Sequence, residues 1–157
     1  MSELTVFQQL VNFGAGNITR SAKITGNGGD LTLQLPNLTY AYSLEISNAS
    51  EVNLPMLTSV SDGLNIGHSE IDELSIPALT YVGGDLVLSD NPHLEDIQLG
   101  ELVSVKGNLE IANNDNDGPT AISGFPYLSS IGGDLTLSGG LERYAVASIA
   151  VLAACHG

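Results

Sequence analysis

The chain has 157 residues, 43% of them hydrophobic, which is enough length and apolar content for one packed domain and too much for a disordered polymer. Its formal net charge is -14, from 18 acidic and 4 basic residues, and this opposes the phosphate neutralisation on which nucleic-acid binding depends, so no nucleic-acid partner is expected. A single cysteine, Cys155, supplies neither an internal disulfide nor a metal-binding spacing.

In chain order, residues 1–20 carry Leu4, Val6, Phe7, Leu10, Val11 and Phe13 without clean helical or strand periodicity and are expected to form a partial N-terminal coil. The opening segment lacks the basic stretch and apolar run of a secretory signal, and nothing in the chain reaches the roughly 18 apolar residues of a membrane span.

From Ser21 to Gly140 a repeat is legible. Each copy holds two apolar residues spaced two apart, the spacing of one face of a strand: Ala22/Ile24, Leu44/Ile46, Leu64/Ile66, Leu86/Leu88, Leu109/Ile111 and Leu135/Leu137. The period from one pair to the next stays in the twenties throughout, which is the signature of a solenoid.

A second element recurs as Leu35-Pro36-Asn37-Leu38, Leu54-Pro55-Met56-Leu57, Ile76-Pro77-Ala78-Leu79, Leu99-Gly100-Glu101-Leu102 and Phe125-Pro126-Tyr127-Leu128. Pro36, Pro55, Pro77, Gly100 and Pro126 stand at a nearly constant distance before Leu44, Leu64, Leu86, Leu109 and Leu135, whereas the distance back to the preceding strand pair varies widely. One side of the coil is therefore fixed in length, and the other is expected to absorb insertions as loops on one face. The same count places Leu31-Thr32-Leu33 in the second element, although Gly29-Asp30-Leu31 imitates the Gly-Asp-Leu that opens later strands.

The recurring residues have physical reasons. Gly83-Gly84 and Gly132-Gly133 precede strands, at a corner where positive backbone dihedrals cost glycine little. Proline lacks an amide donor and belongs at a strand end. Apolar pairs at 57/60, 79/82, 102/105 and 128/131 are expected to form inward columns, each fully buried Leu or Ile contributing about 1.5–3 kcal/mol before conformational entropy is charged against it. Helices on the outer side fit poorly, because Ser47–Val52, Gly67–Ile71 and Ala112–Thr120 are short and turn-rich. The fold class is mostly β, a right-handed parallel β-solenoid with coils of about 20–26 residues.

The succession from Gly26-Asn27-Gly28-Gly29-Asp30-Leu31 through Leu35-Pro36-Asn37-Leu38-Thr39-Tyr40-Ala41-Tyr42-Ser43-Leu44, with Val52-Asn53-Leu54-Pro55, resembles the later repeats of the fungal GPI-anchored cell-wall-organisation glycoproteins. Their sporulation-specific relatives share it, as does the receptor L-domain repeat more generally. Ile111-Ala112-Asn113-Asn114 and Gly124-Phe125-Pro126-Tyr127-Leu128 through Gly132-Gly133 extend the likeness, which spans about residues 10–140. It is carried by the ordered series and by no single motif.

The resemblance implies a secreted, non-enzymatic glycoprotein of the cell surface and wall that supports wall integrity. Full-length relatives would reach the membrane through a GPI anchor, and wall polysaccharide or wall protein would be the partner. Asn17-Ile18-Thr19, Asn37-Leu38-Thr39 and Asn48-Ala49-Ser50 are sequons, so Asn17, Asn37 and Asn48 are glycosylation candidates in that setting. The sequence departs from the pattern at both ends and reads as a fragment or truncated member. After Gly140 it leaves the repeat, and residues 141–157 form a divergent apolar tail, Tyr144 to Ala154, too short to span a membrane.

Several residue groups imitate a chemical site. Asn113-Asn114-Asp115-Asn116-Asp117-Gly118 copies the start of a calcium loop, but Gly124 stands where a bidentate Glu is needed, so no metal is expected there. His68, His93 and His156 lack metal-ligand spacing, and no cofactor is implied. The residues preceding the strand pairs read Ser21, Ser43, Gly63, Asp85, Asn108 and Asp134. Asp85 and Asp134 would lie two coils apart, on the order of 9.5 Å, near the upper end for an inverting glycosidase pair. Asp in a Gly-Asp-Leu corner is better explained as a turn former, so no catalytic residue is assigned. Asp85, Asn108 and Asp134 stand as a candidate ligand face, which would serve an alternative carbohydrate-binding or carbohydrate-active role.

Overall fold

A computed structural model describes residues 4–5, 10–11, 16–27, 31–112, 114 and 121–139. The Asn/Asp-rich stretch apart from Asn114, the tail 141–157, Cys155 and His156 lie outside the described residues. Among those described there is no helix, and every strand pairing is parallel.

The strands are β1 (Leu4–Thr5), β2 (Leu10–Val11), β3 (Asn17–Thr25), β4 (Leu31–Gln34), β5 (Tyr40–Ser47), β6 (Ala49–Asn53), β7 (Ser59–Val60), β8 (Leu64–Gly67), β9 (Glu73–Ser75), β10 (Tyr81–Val82), β11 (Leu86–Ser89), β12 (Asp96–Gln98), β13 (Ser104–Val105), β14 (Leu109–Ala112), β15 (Ala121–Gly124), β16 (Ser130–Ile131) and β17 (Leu135–Leu137). They build a β-solenoid of about five turns. Each complete turn runs through a two-residue strand, a corner, a main strand, a second corner, a strand of the opposite sheet and a tight turn.

The main strands stack as the sequence spacing requires. Leu44 pairs with Leu64, Leu64 with Leu86, Leu86 with Leu109 and Leu109 with Leu135, while Ile46, Ile66, Leu88, Ile111 and Leu137 stack beside them. Ala22 and Ile24 of β3 join the same columns on β5. Alternation puts these side chains inside: Leu44, Ile46, Leu64, Ile66, Leu86, Leu88, Leu109 and Ile111 are buried. The short strands β7, β10, β13 and β16 form a second leg of the same eleven-stranded sheet. In β5 both legs are one strand, whose Tyr40 and Ala41 pair with β7 and whose Leu44–Ser47 pair with β8.

The tight turns carry proline for a physical reason. The Leu38 N–H donates to the Leu35 carbonyl (3.2 Å), and the same bond closes Leu54–Leu57, Ile76–Leu79, Leu99–Leu102 and Phe125–Leu128. Proline stands at the second position of four of these turns, where its fixed φ is already correct and its missing N–H costs nothing. The apolar residues that open and close each turn are buried in all five.

The structure corrects two expectations. The length-variable side is not loop alone: β2, β4, β6, β9, β12 and β15 form a six-stranded parallel sheet there, closing the core from the opposite side. The paired corner glycines also owe nothing to positive φ, since Gly139 has the only positive-φ value among the described glycines. Close approach is what requires them. A Cβ at Gly83 would overlap the Ser61 carbonyl, one at Gly132 the Lys106 carbonyl, one at Gly84 the Asp62 backbone and one at Gly133 the Asn108 side-chain oxygen, all on the preceding coil.

Candidate functional site

The candidate ligand residues occupy the corner that these glycines create. Because Leu86, Leu109 and Leu135 are stacked partners, the residues before them, Asp85, Asn108 and Asp134, form one column on adjacent coils, and all three are exposed. They are tied to one another. The Asn108 backbone N–H donates to Asp85 Oδ1 (2.6 Å) and the Asp134 N–H donates to Asn108 Oδ1 (2.7 Å). Each side chain thus lies over the glycine preceding the next coil's residue, and a Cβ at Gly107 or Gly133 would strike Asp85 Oδ1 or Asn108 Oδ1. Bonding runs to the neighbouring coil's backbone instead of to the residue's own turn. One oxygen of Asp85 and the amide oxygen of Asn108 are therefore held in the ladder.

A second ladder is buried, and sequence reasoning missed it. The Ser69 N–H donates to Asn91 Oδ1 (3.2 Å) and the Asn91 N–H to Asn114 Oδ1 (2.9 Å), while Ser69 Oγ accepts from the Ala49 N–H (3.2 Å). Asn91 Nδ2 donates to the Ile66 carbonyl and Asn114 Nδ2 to the Leu88 carbonyl. Among the described residues no buried side-chain polar atom lacks a partner. Immediately before this column, Asn48, His68 and Asp90 adopt φ of 53°, 51° and 56°. Left-handed geometry suits Asn and Asp better than most side chains. The signal was present at a fixed offset, two and three positions after Ile46, Ile66, Leu88 and Ile111, as Asn48-Ala49, His68-Ser69, Asp90-Asn91 and Asn113-Asn114.

The three sequon asparagines are exposed and sit at three different places on the coil. Asn17 opens β3, with its Oδ1 3.0 Å from the Thr39 hydroxyl. Asn37 is in the Pro36 turn, and Asn48 is the left-handed residue between β5 and β6.

His68 and His93 contact carboxylates of the neighbouring coil, His93 Nε2 with Glu70 Oε2 (2.7 Å) and His68 Nδ1 with Asp90 Oδ2 (3.7 Å). Among the described residues no group of three or more His, Cys, Asp or Glu side chains is placed to hold a metal ion.

The outer face of the short-strand leg has a different character. Tyr40, Ser59, Tyr81, Ser104 and Ser130 form one column by strand register. The residues before them are Thr39, Thr58, Thr80, Val103 and Ser129. The Thr58 hydroxyl donates to the Thr39 carbonyl (2.8 Å), Thr80 to Thr58 (3.0 Å) and Ser129 to Val103 (3.1 Å). Tyr42 alternates outward beside Tyr40 on β5, and the Tyr40 hydroxyl meets Ser61 Oγ (2.9 Å).

No family model matches the chain, and no solved structure matches it. Curated proteins do. It is 31% identical over 127 residues to Sporulation-specific protein 2 of Saccharomyces cerevisiae, covering 81% of this chain and 25% of that protein. It is 33% identical over 135 residues to a cell surface GPI-anchored protein of Arthroderma benhamiae, covering 85% of this chain and 34% of that one. It is 32% identical over 95 residues to Protein ecm33 of Aspergillus fumigatus, covering 60% and 24%. The chain thus spans about a quarter to a third of the length of these relatives.

Proposed function

Since this chain is homologous over most of its length to a fungal family of GPI-anchored cell-wall proteins and sporulation-specific proteins, we propose that it is a non-enzymatic scaffold of the fungal cell surface, a stack of coils whose outward sides contact wall polymer or wall protein. The observation that carries this reading is the joint one of homology and architecture. A relative bears a cell-surface name, and the stretch of this chain that matches it is a solenoid whose coils are joined by side-chain ladders. Solenoids of this kind present long, regular faces suited to extended partners.

The scaffold reading makes Asn17, Asn37 and Asn48 glycan acceptors, all accessible from solvent. It treats the Asp85, Asn108 and Asp134 column as an organiser of the corner, with its outer oxygens available to a ligand. No turnover is assigned to it.

The test is made in the native host with a tagged chain. The tagged protein is expected in the cell-surface and wall fraction, with a mass that falls after endoglycosidase treatment. A cytosolic location with no change in mass would remove the reading. Separately, the purified protein is expected to release no reducing sugar from wall polysaccharides. Release that a Ser43→Ala, Asp85→Ala, Asp134→Ala triple variant abolishes would replace the scaffold with an enzyme.

A further inference from the structure

We propose that the outer face of the short-strand leg, centred on Tyr40, Tyr42 and Tyr81, is a binding platform for a neutral polysaccharide chain. This rests on the cell-surface reading and adds to it a site and a ligand class.

Three observations converge on this face. The first is aromatic exposure. Tyr42 is 43% and Tyr81 37% exposed, far more than tyrosines held in a core, and Tyr40 is partly exposed beside them. Tyr40 and Tyr81 are both in register with Ser59, so they stand two coils apart, roughly 9.5 Å along the stack. Tyrosine combines a flat apolar ring, able to lie against the C–H face of a sugar, with a hydroxyl that bonds at its edge.

The second is the hydroxyl row. The Thr58 and Thr80 hydroxyls spend their protons on the carbonyls of the coil before, which fixes their rotamers and leaves oxygen lone pairs as acceptors. A polyol supplies the matching donors. Because these groups are already held, binding orders little on the protein side.

The third is charge. A chain with a net charge of -14 places no carboxylate, amine, guanidinium or imidazole in the Thr39 and Tyr40 columns, whose residues are Thr, Tyr, Ser and Val with Gly16 and Asn17 at one end; Lys106 stands two positions after Ser104, as Tyr42 does after Tyr40, so the neutral strip is these two columns and not the Tyr42 row. Such neutrality disfavours acidic or basic partners and matches an uncharged polymer. β5, β7, β10 and β13 beneath the tyrosines are each paired on both sides by neighbouring coils, so a peptide cannot be added there as a further strand. A flat, regular, fully paired face fits a polymer that repeats along its own axis.

The test uses the whole chain and insoluble linear β-glucan particles, with depletion of protein from solution as the readout. Saturable binding is expected. A Tyr42→Ala, Tyr81→Ala double variant should lose at least about tenfold in affinity, stacking being the main contribution. Thr80→Val, which keeps the shape and removes the hydroxyl, should lose several-fold. Glu51→Gln with Glu73→Gln, exposed on the opposite sheet, should bind as the parent does. Circular dichroism melts of each variant separate lost binding from lost fold, and a Tyr42→Phe, Tyr81→Phe variant that retains most binding distinguishes ring stacking from general disruption.

Failure of the parent to bind, or equal binding by the folded double-alanine variant, overturns the proposal. So does a concentration-dependent dimer that the double variant abolishes, since the face would then serve a second copy of the chain. A wall-located, glycosylated protein that does not bind the particles would sink this inference and leave the scaffold reading standing.

Discussion

Asn91 shows how much of this molecule depends on single polar atoms. Its side chain accepts from the Ser69 N–H of the preceding coil and donates to the Ile66 carbonyl, and the residue is fully buried. Asn91→Ala would take from the buried Ser69 N–H its side-chain acceptor, at about 1–3 kcal/mol. We expect a loss of roughly 1–3 kcal/mol in urea unfolding from that cost. A change below about 0.5 kcal/mol, the size of an ordinary surface substitution, would mean that water or a shifted coil replaces the ladder. Gly83 makes the complementary case, where an added atom is harmful. Gly83→Ala forces a methyl into the Ser61 carbonyl and is expected to cost about 1–3 kcal/mol by the same measurement. At this scale the sequence was a poor guide. The glycine pairs were visible, but their cause was not, because a steric contact with the preceding coil leaves no local trace whereas a turn propensity does. The Asp85, Asn108 and Asp134 column was correctly aligned from the chain, yet its bonds to the next coil's N–H groups depend on inter-coil distance, which composition does not carry.

The tight turn is the element whose chemistry is most legible, and it offers a stabilising substitution. Four of its five copies have proline at the second position, and the fifth has Gly100, closed by the same bond, Leu102 N–H to the Leu99 carbonyl (3.0 Å). Nothing lies within 4 Å of where a Cβ at Gly100 would be built. Gly100→Pro should therefore raise stability by about 0.4–1 kcal/mol by restricting the unfolded chain, read as a higher urea midpoint at unchanged slope. A lower midpoint would show that this turn differs from its siblings. The second sheet is the element least legible in the chain. Its signal was there as Leu33/Leu35, Val52/Leu54, Leu74/Ile76 and Ile97/Leu99, apolar residues two apart and all buried. The second member of each pair also opens the tight turn, and that role conceals its place in a strand pattern. With strands as short as β9 and β12, one inward residue is all that remains to announce the strand.

At the scale of the whole molecule, phasing was recoverable because it is redundant: five consecutive pairings repeat one alignment, and an error in any coil would conflict with its neighbours. The same redundancy predicts tolerance of coil deletion. Removing residues 64–85 joins Gly63 to Leu86 and brings Leu86 onto Leu44 and Asn91 into the place of Ser69. The shortened chain should still fold with a β-type circular dichroism spectrum, at a thermal midpoint lower by roughly 5–10 °C, since each coil contributes mainly through its neighbours. An unfolded product would show that stability is not distributed along the stack. The two side-chain ladders, finally, make the protein mechanically directional. Backbone and side-chain bonds between coils all lie along the stacking axis, so tension on that axis loads them one coil interface at a time and peels the stack stepwise. Tension across the axis is carried by the covalent chain and its buried turns. A strand of polymer lying along the tyrosine column would bridge several interfaces at once and act as an external splint, stiffening the molecule in its one weak direction.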